Sequence, residues 1–299
     1  MIQYNPKKWF QLIFHSYSRQ VVKYLFPGVI IMSLYSTAVS YVVIDLLEIH
    51  YRSTTAVHSL LGIVLGLFLV FRTNTAYDRW WEGRKQWGLM VNVSRNLSVK
   101  LEAFLEDTDK DSRQFFARMI PNFVQATKEH LRKGVILEEM VLTEGEQDIL
   151  KKEHIPNHLV LSIQKRINSI YRKGKLTGEH LLLLDLEMNH FLNIVGACER
   201  IKNTPIPYAY SMYIKKFIFI YVMTLPLGLV TQFEYWTVPV VILIFFTLFT
   251  IELIAEEIED PFGRDVNDLP LDGLSHKIRR NVREILLNMP DTPANEKIQ

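Results

Sequence analysis

Gly62-Ile63-Val-Leu-Gly66-Leu67-Phe-Leu-Val-Phe71-Arg72-Thr-Asn74-Thr-Ala-Tyr77-Asp78-Arg79-Trp80-Trp81-Glu82-Gly-Arg84 is the stretch from which the fold is read. It leaves a run without formal charge, residues 53–71, and enters a segment dense in charge and aromatic rings. The uncharged run is close to the roughly 20 residues that a helix needs to cross a bilayer core of about 30 Å. From Ser53 to Met90 there is no proline. The spacing therefore predicts one helix that leaves the bilayer and continues into water, about 57 Å long at 1.5 Å per residue. Ile63, Leu67 and Phe71 recur at steps of four, so they stack on one helix face. Gly62 and Gly66 form a small-xxx-small pair beside them, which lets helix backbones approach closely. Two readings of the apolar row stay open: a packing face, or the lining of a dry constriction in a ring of subunits.

Three other stretches lack formal charge: residues 24–44, 217–233 and 235–251, the last two separated by Glu234 alone. Four spans are therefore expected, the last two as a tight hairpin with Phe233, Tyr235 and Trp236 as an interfacial belt. Across the 299 residues, 48% are hydrophobic and 22% charged, which excludes a disordered chain. A single cysteine, Cys198, excludes a disulfide scaffold. With 34 basic and 32 acidic residues, the net charge of +2 argues against a nucleic-acid binder.

Residues 1–14 lack the apolar run of a signal peptide. Lys and Arg sit beside the spans at Lys7, Lys8, Arg19 and Lys23, at Arg72, Arg79, Arg84 and Lys85, and at Arg200, Lys202, Lys215 and Lys216. The loop at 45–52 has one basic residue and the turn at Glu234 has none. The positive-inside rule then places both termini and the middle block in the cytoplasm. The division expected is a cytoplasmic segment at 1–23, spans at 24–71, a helical cytoplasmic domain at 72–216, spans at 217–251 and a cytoplasmic segment at 252–299. Helical periodicity is read at 94–105, 159–171 and 181–201, with breaks at 107–111, Gly134, Gly145, Pro156, 174–178 and 205–207. The tail at 290–299 is expected to fray.

Four groups could carry chemistry. Asn74, Asp78 and Glu82 share a face and read as a polar wall inside the constriction. Arg79, Trp80, Trp81 and Arg84 read equally well as a snorkelling anchor. In Asp260-Pro-Phe-Gly263-Arg264-Asp265-Val266-Asn267-Asp268, the oxygen-bearing residues suit Ca²⁺, but the loop is a poor EF-hand match. An acidic residue capping the next helix explains it as well. Glu187 and His190 are one E-x-x-H pair where a di-iron bundle needs two. His154 and His158 have zinc-site spacing, but Pro156 stands between them. No phosphate-loop, dinucleotide or nucleophile-elbow motif is present, so no enzyme is expected.

Arg79-Trp80-Trp81 after a long span, Asp260-Pro-Phe-Gly263 with Asp265 and Asp268 after the fourth span, and Cys198-Glu-Arg-Ile-Lys-Asn-Thr-Pro205-Ile-Pro207 before the third resemble the bestrophin family of channels. Asn74-Thr-Ala-Tyr77-Asp-Arg-Trp-Trp-Glu-Gly-Arg84 resembles its bacterial branch. The resemblance implies an all-α homopentamer around one axial pore, four transmembrane helices per subunit and a helical cytoplasmic domain. It implies a neck at Ile63, Leu67 and Phe71, a cytoplasmic aperture at Leu181, and small monovalent ions as the cargo. Cations are favoured, as in the bacterial branch; eukaryotic members conduct anions and carry an aromatic residue where Leu67 stands. Asp265 and Asp268 match the calcium-clasp carboxylates of eukaryotic members, but Arg264, Val266 and Asn267 break the acidic run. No cofactor is required on this reading. The partners are lipid, monovalent ions and further copies of the chain, in the inner membrane. A chloride channel of the same fold, a secondary transporter and a membrane-tethered binding protein remain as rivals.

Overall fold

A computed structural model describes residues 16–48, 55–132 and 140–288. Lys7, Lys8, the break at Gly134 and the tail at 290–299 lie outside them. The described residues are helical, without strands, and divide into two compact units.

The first unit holds α1 (Ser16–Tyr41), the first part of α2 (Ala56–Phe104), α6 (Tyr208–Phe233) and α7 (Thr237–Glu259). Its core joins Met32 of α1, Leu65 and Leu69 of α2, Ile214, Ile218, Val222, Leu225 and Leu229 of α6, and Val241 and Phe245 of α7. α1 widens at its end into a π-helical turn, Val42–Leu46, closed by Leu47 N–H to Val42 O at 2.9 Å. Asp45 in that turn accepts from the Tyr235 hydroxyl in the 3₁₀ turn Glu234–Trp236, so both short connections lie at one end of the unit. Glu234 takes a positive φ of 49° to turn the chain between α6 and α7. Both hairpin helices outrun their uncharged runs. α6 has 26 residues and α7 has 23, against 17 in each uncharged run, so both are long enough to cross a bilayer core. Pro226 lies inside α6, and Tyr35 of α1 donates to Met223 O at 3.0 Å, in the turn that the proline loosens.

By length and hydropathy, the stretches able to cross a membrane are Gln20–Leu46, Ala56–Phe104, Gly178–Asn203 and Tyr208–Glu259. The last contains α6 and α7, so the four expected spans are all present. Gly178–Asn203 is a further qualifying helix. It belongs to the second unit, where Leu184, Met188, Phe191, Ile194 and Val195 form its buried face.

The second unit holds the rest of α2, α3 (Lys110–Leu131), α4 (Ile155–Arg172), α5 (Gly178–Asn203) and α8 (Leu271–Leu287). α3 is its centre. Phe116, Ile120, Phe123 and Val124 are fully buried, and Phe123 meets Phe191 of α5 at 4.5 Å between ring centroids. The buried polar groups of α3 are paired. Asn122 exchanges two hydrogen bonds with the Val141 backbone, and Lys128 reaches Asp272 at 2.7 Å and Glu129 at 3.1 Å. The second span is longer than expected: α2 runs 49 residues and absorbs the 94–105 segment. α8 begins after Pro270, whose side chain makes no cap bond, so the expected acidic cap is not formed.

Candidate pore-lining helix

α2 turns by 100° per residue. On that geometry Ile63, Leu67, Phe71, Asn74, Asp78 and Glu82 fall within about 100° of arc. Leu65, Leu69, Arg72 and Ala76 lie roughly 180–240° away from Ile63. Burial follows the same division. Ile63, Leu67 and Phe71 are 71%, 56% and 54% exposed, and Asn74 and Asp78 are exposed below them. Leu65, Leu69, Arg72 and Ala76 are buried. The helix thus spends one face on its own unit and leaves a second, first apolar and then polar, exposed among the described residues. Glu82 is half-buried, ion-paired with Lys85 at 2.6 Å and accepting from Gln86 at 2.7 Å.

The orientation of that stripe is set by a charged anchor on the opposite face. Arg72 is 1% exposed, reaches Glu259 of α7 at 2.7 Å and lies 3.6 Å from Glu252. A guanidinium buried at the membrane edge needs such partners, because an unpaired charge there costs several kcal/mol, on the order of 3 or more. Arg79 Nε donates to Glu259 O at 3.1 Å, and Trp80 Nε1 donates to Asn267 O at 2.9 Å. These two side chains therefore do not snorkel; they tie α2 to the end of α7 and to the loop that follows it. Asn267 in turn donates to Glu257 at 2.7 Å, and Ile206 N–H to Glu259 at 2.8 Å. Sequence reasoning missed Arg72, Glu252 and Glu259 as a set, since nothing local joins residues so far apart.

The glycine pair is asymmetric. A Cβ on Gly62 would stand 2.8 Å from the Tyr221 hydroxyl, whereas one on Gly66 would meet nothing within 4 Å. Gly62 serves the contact with α6.

In the second unit, Leu181 is half-buried on α5, while its neighbour Leu182 is 69% exposed. Phe262 is buried, and Arg132 donates to the carbonyls of Phe262 and Gly263, both at 3.1 Å, and bidentately to Asp272 at 2.9 and 3.0 Å. The Pro-Phe-Gly turn is thereby clasped by a guanidinium from the end of α3, a partner that the sequence did not reveal. Asp268 is buried in this unit, and Asp265, in the first, is exposed. Glu187 pairs with Lys100 at 2.6 Å. Among the described residues, the group of His, Cys, Asp and Glu side chains close enough to share one ion is His130, His154 and Glu199; neither Asp265 nor Asp268 belongs to it.

Comparison with known proteins gives a consistent result. The family described as "Bacterial/Fungal Bestrophin protein" matches residues 1–284. A voltage-dependent anion channel-forming protein of Nostoc sp. is 35% identical over 296 residues, 97% of this chain and 95% of that protein. The similarly named YneE of Escherichia coli K12 is 31% identical over 281 residues, 93% and 91% of the two chains. The solved structure of a bacterial bestrophin homologue from Klebsiella pneumoniae superposes with a TM-score of 0.80 at 30% identity, covering 86% of this chain and 97% of that one. With the family matched along nearly its whole length and the helices arranged as in a solved member, the chain belongs to the bestrophin family of ion channels, in its bacterial and fungal branch.

Proposed function

We propose that five copies surround an axis lined by α2, and that Ile63, Leu67 and Phe71 form the neck through which small monovalent ions pass. The observation that supports this most directly is the stripe itself. An unbroken helix buries one face in its own unit and, among the described residues, leaves the opposite apolar face exposed. Ions would shed part of their hydration in such a collar with no side chain to replace it. Flux then depends on collar width and on continuity of the water column. Leu181, or Leu182 beside it, forms a second narrowing on α5. Both termini and the second unit face the cytoplasm of a plasma-membrane channel, on the distribution of Lys and Arg. Calcium at Asp265 and Asp268 is not required for this mechanism.

Selectivity for cations rests on exposed Asp78 and half-buried Glu82, which would put rings of carboxylate on the inner side of the neck, with the neutral amide of Asn74 between them and the apolar collar. A second reading, an anion channel of the same fold, is favoured by the names of the Nostoc and Escherichia coli relatives. Reversal potentials of purified channels in planar bilayers under a KCl gradient separate the two. A shift toward the potassium potential supports the cation reading, and a shift toward the chloride potential replaces it with the anion reading. Absence of unitary currents from assembled protein would count against conduction through this stripe.

A further inference from the structure

We propose that His130, His154 and Glu199 form a binding site for a divalent transition-metal ion of the Zn²⁺ class. His130 lies in the last turn of α3, His154 is the N-cap of α4, and Glu199 lies on α5. The Nε2 atoms of both histidines are 2.7 Å from the same carboxylate oxygen, Glu199 Oε1. The two rings are 4.7 Å apart between centroids, and the three ligand atoms lie within 4.8 Å of one another. Three packed helices therefore deliver two imidazoles and one carboxylate to a single point.

The chemistry of the set selects the ion. Two nitrogens and one oxygen suit Zn²⁺ and its neighbours, which accept imidazole readily, and do not suit Ca²⁺ or Mg²⁺, which want oxygens alone. Bond lengths of about 2.0–2.2 Å in a tetrahedral site put ligand atoms about 3.3 Å apart, so each 2.7 Å contact needs to open by only about 0.6 Å. The side chains are 28–30% exposed, enough to admit an ion and to leave its fourth position to water. The site has a definite cost. Asn157 N–H donates to His154 Nδ1 at 3.2 Å, which leaves the proton of the neutral ring on Nε2. A metal on Nε2 turns the ring to its other tautomer and exchanges this cap bond for the metal bond. Without a metal the same residues form a hydrogen-bonded bridge among three helices, so binding would tighten a junction that already exists.

Zn²⁺ titration of the full-length, assembled channel by calorimetry, after chelator treatment, tests the proposal. One ion per chain is expected, with His130→Ala and His154→Ala each weakening binding by at least about tenfold, the lower end of what losing even an outer-shell partner costs. His158→Ala, one turn along α4, should leave binding unchanged. Should the histidine variants fail to assemble, X-ray absorption at the zinc edge of the wild-type protein decides. A first shell of two imidazole nitrogens with oxygen supports the site, and an all-oxygen shell overturns it. No stoichiometric binding, or binding indifferent to both histidines, overturns it equally.

Discussion

Leu67 and Leu69 stand two positions apart on α2 and meet opposite surroundings. Leu69 is buried in the core of the first unit, and Leu67 is exposed on the stripe. Truncating each should therefore separate folding from conduction. Leu69→Ala removes packing against α6 and α7. In a bilayer the lipid is as apolar as leucine, so mainly the cavity cost remains, about 2 kcal/mol. Its expected signature is a lower melting temperature of the solubilised channel. Leu67→Ala should leave that temperature nearly unchanged and raise unitary conductance, because five shortened side chains widen the collar. An unaltered conductance in a correctly assembled L67A channel would remove Leu67 from the pathway. The glycines permit a parallel test. Gly62→Ala forces its new methyl against the Tyr221 hydroxyl and should lower thermal stability, while Gly66→Ala meets nothing within 4 Å among the described residues and should not.

At the scale of elements, α3 and α8 are joined by one carboxylate. Burial tends to raise the pKa of Asp272, but hydrogen bonds from Arg132 and Lys128 outweigh it and hold the group at about 2. A depressed folded-state value means stability that is present above the unfolded value of about 3.9 and lost as pH falls toward 2. The melting temperature of the channel should therefore drop over that window, and Asp272→Asn should flatten that part of the profile while lowering stability at neutral pH. A profile of unchanged shape in D272N would assign the acid sensitivity to other carboxylates. This junction also marks where the sequence was opaque. The spans and α5 were legible because a continuous apolar run or a clean three-four spacing is a local signal. α3 was not, because a central helix that buries Asn122, Gln125, Lys128 and Glu129 looks polar until their partners are seen. The stripe Ile63-Leu67-Phe71 was readable from spacing, but the buried Arg72 that orients it was not, since its carboxylates arrive from the fourth span. His154 was set aside because Pro156 separates it from His158. The structure joins it to His130 and Glu199, residues that no spacing rule connects.

For the whole molecule, a net charge of +2 says little about which ion is carried, because selectivity depends on where charge faces the pathway. Asp78 is exposed on the same face of α2 as Ile63, Leu67 and Phe71, about two turns beyond Phe71. Fivefold assembly would turn it into a ring of carboxylates that concentrates cations at the inner mouth. Asp78→Asn should lower the potassium-to-chloride permeability ratio read from reversal potentials, with little change in melting temperature. The effect should be larger at low ionic strength, since a charge acts over about 30 Å at 0.01 M salt before it is screened but only about 10 Å at 0.1 M. If the wild-type channel proves anion-selective, as the names of its relatives have it, Asp78→Asn should still move the ratio further toward chloride, because the ring opposes anions in either case. A ratio that does not move at low salt would place Asp78 away from the ion path and shift the source of selectivity to the neck itself.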